Sequence, residues 1–172
     1  SYANKKPVSN PTFYIVTGQT GSGKSNLTSY LYSKEENIVV IDSDKYKAYR
    51  PDSQEILDEH LAEYAFLTAP DSYLHRDEML VDAMKSKYNI LVDLAVSEKE
   101  GLLVNTDLLR KLGYNIEIHV LGVSSLNSSI SLHERYEAQL ELNDNAAKLT
   151  SIERHDDSYT AINKIIMEVQ RI

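Results

Sequence analysis

The eight residues Gly18-Gln19-Thr20-Gly21-Ser22-Gly23-Lys24-Ser25 carry the plainest chemistry in this chain. They fit the pattern G-x-x-x-x-G-K-[ST]. Glycines at these places let the backbone turn until successive N–H groups face one anion. A helix that opens directly afterwards points its positive end at the same spot. Lys24 then reaches the β- and γ-phosphates of a nucleotide, and the Ser25 hydroxyl is placed to ligate Mg²⁺. Gly18 to Ser25 are therefore the candidate nucleotide-binding residues, and ATP with Mg²⁺ is the expected cofactor pair.

Carboxylates supply the other half of phosphoryl transfer. In an open parallel sheet, ligands gather beyond the carboxyl ends of the strands. Asp93 closes the apolar run Ile90-Leu91-Val92, where a protein of this kind keeps the acid that orients Mg²⁺ or its water. Asp42 and Asp44 follow the run Ile38-Val39-Val40-Ile41. A kinase needs a carboxylate beside the acceptor hydroxyl, to orient it and accept its proton. Asp44 lies farther into the loop and suits that base role better, while Asp42 suits a cap. Either could instead cap the segment that follows, as Asp commonly does.

Two late cations complete the candidates. Arg135 and Lys148 flank the polar break Asn143-Asp144-Asn145 between two helical stretches. Helix, break and helix would suit a lid that closes charge over the transferred phosphoryl group. Taken alone, each reads more readily as a surface cation.

These residues need a scaffold, and the apolar pattern supplies one. Four short β-rich runs are expected as buried strands: 13–17, 38–41, 90–92 and 116–123. Helices are expected over 25–33, from Pro51-Asp52 to about Leu67, from Leu74 to Met84, over 106–112, over 125–142 and over 151–171, with Pro70-Asp71-Ser72 breaking the second from the third. Strands alternating with helices imply an α/β fold, a parallel sheet of the phosphate-loop kinase type flanked by helices on both faces. The whole of 1–172 reads as one such domain.

Composition narrows the classes. Apolar residues make up 42% and charged residues 26%, an ordinary globular balance. The net charge is −8, and the acidic stretch from Asp52 to Asp82 accounts for all of it. A broad basic face for nucleic acid is missing, and twelve tyrosines without tryptophan show no ordered stacking platform. Without cysteine there is no disulfide framework, thiolate metal site or cysteine nucleophile. No apolar run is long enough to span a bilayer and no leader is visible, so a cytoplasmic location is expected. His155-Asp156-Asp157 alone, with no second histidine–acid cluster, does not make a metal centre.

The chain resembles the zeta toxin family of kinases from bacterial toxin–antitoxin systems. The likeness rests on the Gly18 to Ser25 loop, Val39-Val40-Ile41-Asp42-Ser43-Asp44, Gly113-Tyr114, Glu134-Arg135-Tyr136 and His155-Asp156, in that order. The resemblance implies ATP-dependent phosphorylation of a sugar hydroxyl of UDP-N-acetylglucosamine or a related UDP-sugar. It also implies a small helical antitoxin partner, epsilon, which covers the nucleotide site. By position, Lys24 and Ser25 would hold phosphates and Mg²⁺, Asp44 would be the base and Arg135 would stabilise transferred charge. The family's second lid arginine falls at Lys148, which keeps the charge and loses the planar fork. Its Glu-Gly-Thr run falls at Asp93-Leu94-Ala95, and its substrate-side acid at Asp77, each acid one methylene shorter. Asp77 and Asp93 are thus the candidate substrate contacts, on an altered sugar side. The rival readings are another small-molecule kinase of the antibiotic-phosphotransferase kind, or a nucleotide-binding module without catalysis.

Overall fold

A computed structural model describes residues 4–60, 63–95, 106–141 and 150–169. Among them lie four strands: β1 (Thr12–Gly18), β2 (Ile38–Ile41), β3 (Asn89–Ala95) and β4 (Asn115–Leu121). All neighbours pair in parallel, in the order β2-β3-β1-β4. The helices are α1 (Lys24–Lys34), α2 (Ser43–Tyr46), α3 (Ser53–Glu59), α4 (Tyr64–Lys85), α5 (Thr106–Lys111), α6 (Ser125–Glu141) and α7 (Ile152–Val169). A 3-10 turn, Lys47–Tyr49, continues α2.

Strand side chains alternate between faces, which sorts the core into two layers. Phe13, Ile15, Val39, Ile41, Ile90 and Val92 point to one face, where Ala83 of α4, Leu109 of α5 and Tyr114 close over them. Val16, Ile38 and Leu91 point to the other, against Leu27 and Leu31 of α1. Ile15, Ile90 and Leu91 are fully buried, each contributing about 1.5–3 kcal/mol of apolar burial. Strands covered on both faces read as continuous apolar runs, which is why β1, β2 and β3 were visible in the sequence.

Two expectations need correction. The third strand does not end at Asp93 but runs on to Ala95, because β1 continues to pair with it: Val16 opposes Asp93 and Gly18 opposes Ala95. The helical break is not at Pro70. It falls between Glu59, the last residue of α3, and Tyr64, the first of α4, and α4 runs without interruption through Pro70. Proline removes one backbone donor from the helix, and side chains stitch the same turns together. Thr68 Oγ1 donates to the Tyr64 carbonyl (2.7 Å), Ser72 Oγ to the Ala69 carbonyl (2.9 Å), and Arg50 Nη1 to the Leu67 carbonyl (2.9 Å). Arg50 also grips Asp52 through Nε (2.6 Å) and Asp71 through Nη1 (2.8 Å), fastening the segment after α2 to α4.

Candidate functional site

The loop from β1 into α1 is held from behind by named contacts. Gln19 is fully buried. Its Oε1 accepts from the Val123 N–H (3.2 Å), and its Nε2 donates to the Val123 carbonyl (2.9 Å) and to Ser128 Oγ (2.9 Å). The Thr20 N–H donates to Ser158 Oγ of α7 (3.1 Å). Gly21 has a φ of +81°, and a Cβ there would stand 2.4 Å from the Ser128 carbonyl oxygen and 3.0 Å from Leu132 Cγ. Both its backbone conformation and its closeness to α6 demand glycine. Gly23, with a φ of +89°, is the residue that caps α1. The first N–H groups of that helix therefore open at the carboxyl end of the sheet, the usual setting for an anion.

Charged groups converge on the same end. Lys24 bends back over the loop, its Nζ donating to the carbonyls of Gly18 (3.0 Å) and Gln19 (3.3 Å). Burial pulls its ammonium below the usual lysine range; nearby Asp93 opposes that fall and nearby Arg135 adds to it. Asp93, two residues beyond Leu91, shares its face and so emerges on the α1 side of the sheet. Burial raises its carboxyl above the usual range, Lys24 opposes the rise, and Asp42 and Asp44 add to it. Lys24, Asp93, Asp42, Asp44 and Arg135 thus lie within electrostatic reach of one another in pairs that form one connected group. Asp42 takes the capping place, its Oδ1 accepting from the Asp44 N–H (3.0 Å) at the start of α2. Asp44 itself is largely exposed, with Oδ1 held by Lys47 Nζ at 2.6 Å.

The remaining candidates are distributed otherwise. Ser25 is exposed on the first turn of α1. Ser22 is buried, with an Oγ that has no hydrogen-bond partner among the described residues. Asp77 sits on α4 with Oδ1 bound by Nε and Nη2 of Arg76, both at 2.8 Å, so its partner is its own neighbour rather than the loop. Lys148 and the break Asn143 to Asn145 lie outside the described residues. Among the described residues no three His, Asp or Glu side chains form a protein-only metal cage. The oxygen donors at hand, Ser25 and Asp93, suit a hard cation that takes one or two protein ligands and completes its shell with phosphates and water.

Residues that sequence reasoning passed over form the loop's support. Ser128, His155 and Ser158 are all buried. Ser128 Oγ lies 2.8 Å from His155 Nε2, and Ser158 Oγ donates to the His155 carbonyl (2.9 Å). The only local signal was the pair His155-Asp156, noted for its chemistry and not for its place. A groove of about 490 Å³ lies beside them between α6 and α7, lined in part by Leu126, Leu132, His133 and Ile152.

A parallel sheet whose central strand runs through a glycine-rich loop into a helix defines an α/β protein of the phosphate-loop kinase type. Comparison with known proteins sharpens the class. The family model "Zeta toxin" matches residues 1–172. Toxin zeta of Enterococcus hirae is 28% identical over 155 residues, covering 88% of this chain and 54% of that protein. Toxin zeta of Streptococcus pyogenes is 26% identical over 153 residues, covering 88% and 53%. The chain thus spans about half the length of these relatives. Among solved structures, one from the PezAT chromosomal toxin–antitoxin system of Streptococcus pneumoniae superposes with a TM-score of 0.79 at 18% identity, over 98% of this chain and 67% of that one. A deoxyadenosine kinase from M. mycoides with bound dATP superposes with a TM-score of 0.52 at 15% identity, over 93% and 86%. This chain belongs to the zeta toxin family.

Proposed function

We propose that this chain transfers the γ-phosphoryl group of ATP to a sugar hydroxyl of UDP-N-acetylglucosamine or a related UDP-sugar, as the toxin of a toxin–antitoxin pair. The observation that supports the reading is the glycine-rich loop opening α1, with Lys24 Nζ bent back over it to the Gly18 carbonyl (3.0 Å) and interacting with Asp93 and Arg135. The N–H groups of Gly18 to Ser25 and the Lys24 ammonium hold the β- and γ-phosphates. To do so Lys24 exchanges its two loop carbonyls for phosphate oxygens. Ser25 and Asp93, the latter directly or through water, would hold Mg²⁺, which would supply charge neutralisation to the phosphates.

The Asp44 carboxylate orients the acceptor hydroxyl and accepts its proton as the oxygen bonds to phosphorus. The bond from phosphorus to the bridging oxygen breaks, and ADP leaves. Arg135 stabilises the charge that spreads over the equatorial oxygens, and Lys148 is assigned a similar part. Asp77 is assigned to the sugar side and must release Arg76 to serve there. The antitoxin partner is a small helical protein that covers the nucleotide site; the family membership and the likeness to a PezAT toxin support it.

The test is direct. The protein, ATP, Mg²⁺ and a panel of UDP-sugars are incubated and each sugar is weighed for the gain of one phosphate. A product with the wild type and none with Lys24→Ala supports the reading. A product only on an antibiotic, or ATP binding with no product on any acceptor, overturns it.

A further inference from the structure

Behind the phosphate loop runs a line of polar groups, buried from Gln19 to His155 and ending on the exposed Asp156, that the proposed chemistry leaves unused. Gln19 Nε2 donates to Ser128 Oγ (2.9 Å), Ser128 Oγ lies 2.8 Å from His155 Nε2, and His155 Nδ1 lies 2.9 Å from Asp156 Oδ1. A carboxylate only accepts, so Nδ1 carries the hydrogen of that last bond. In the neutral ring Nε2 is then an acceptor, and the Ser128 hydroxyl faces it as donor, with the Ser125 carbonyl as a competing acceptor at 3.0 Å. The order serine, histidine, aspartate matches a hydrolase relay. Ser128 is fully buried, however, and cannot meet a substrate.

The line joins three elements instead. Gln19 belongs to the loop, Ser128 to α6 and His155 to α7. On α6, Ser128, Leu132 and Arg135 are spaced i, i+4 and i+7 and so share one face. Leu132 closes on Gly21, and Arg135 acts electrostatically on Lys24. Whatever fixes Ser128 therefore fixes where that face, with its arginine, stands over the loop.

We propose that His155 is a positioning residue for phosphoryl transfer: by tying Ser128 to α7, it sets the spacing between the Gly18–Ser25 loop and Arg135. This rests on the kinase reading above. The test compares wild type, His155→Asn, His155→Gln and Ser128→Ala, each also in an Arg135→Ala background. Asn keeps a group near the Nδ1 position and loses Ser128, whereas Gln reaches Ser128. His155→Asn and Ser128→Ala should lose about tenfold or more in kcat, with KM for ATP within about threefold. His155→Gln should stay within about threefold of wild type. Without Arg135 the same changes should cost under about twofold. Equal losses for Asn and Gln, or an undiminished loss in the Arg135→Ala background, overturn the proposal.

A readout independent of turnover separates this inference from the kinase reading. The chain has no cysteine, so cysteines introduced at the exposed positions Asn26 and Glu137 take nitroxide labels cleanly. Their distance distribution should be narrow in wild type and His155→Gln and broader in His155→Asn and Ser128→Ala. An unchanged distribution overturns the positioning role. An inactive wild type whose distributions respond as expected overturns only the kinase reading. Should His155→Asn fail to fold, Ser128→Ala, which removes one atom, carries both readouts.

Discussion

Gly21 offers the sharpest prediction, because Gly23 is its built-in control. Both residues hold a left-handed backbone, at φ +81° and +89°. Alanine in that conformation costs about 1–2 kcal/mol at either place. Only Gly21 is crowded. Its added Cβ would stand 2.4 Å from the Ser128 carbonyl oxygen, whereas one at Gly23 would meet nothing within 4 Å. A carbon–oxygen approach of 2.4 Å is about 1 Å short of ordinary contact, and the oxygen belongs to the backbone of α6, which cannot swing aside. Relieving the overlap moves the loop or the helix, a cost of about 1–3 kcal/mol. Gly21→Ala should therefore lose about 2–5 kcal/mol in all, and Gly23→Ala about 1–2 kcal/mol. Urea unfolding at fixed pH reads the difference as a gap in midpoints at similar slope. In melting temperature it amounts to about 2–4 °C per kcal/mol for a chain of this size. Equal shifts for the two variants would refute the claim that contact with α6 shapes the loop.

Further outcomes are expected. Asp44→Asn should lower kcat by about 10²-fold or more while leaving nucleotide affinity intact; a variant of full activity would remove Asp44 as base. Asp93 is raised in the fold, chiefly by burial, so its contribution is present below the ordinary carboxylate pKa and lost as pH rises through the folded value. Asp93→Asn should gain stability relative to wild type as the pH is taken from 4 to 8 in urea titrations, and a constant gap would contradict this. Tyr114 is pushed up to about 12 by burial, so wild type should lose stability relative to Tyr114→Phe between about pH 10 and 12. Near pH 7 the same variant should be about 1 kcal/mol weaker, because the hydroxyl donates to the Tyr88 carbonyl at 3.0 Å. Matching pH profiles for the two proteins would count against the buried phenol.

The fold was legible wherever structure is local. β1, β2 and the start of α1 announce themselves through apolar runs and a loop whose glycines and lysine have fixed spacing. That Asp93 acts on Lys24, and Asp44 on Asp93, fits one rule, that parallel strands end on the same side. The division of α3 from α4 was not legible. Pro70 is a strong local breaker, and the contact that sustains the helix there comes in part from Arg50, outside it. The support of the phosphate loop was equally hidden. Gln19 falls on a variable position of its motif, and nothing near it in sequence shows that its amide meets Val123 and Ser128. Asp77 carries the reverse lesson: its place in a family pattern does not show that its carboxylate is engaged by Arg76.

The bracing of the phosphate loop also sets a schedule. Gln19 takes its partner from 104 residues downstream, and Thr20 from 138. At about 5–20 residues per second, a ribosome needs roughly 7–28 s to travel from Thr20 to Ser158. Throughout that interval the nascent chain holds the complete Gly18 to Ser25 motif without α7, and for most of it without α6. Translation products that stop before α7 carry the motif and lack its Ser158 brace. On the kinase reading, the phosphate site is fully braced only once α7 has been made.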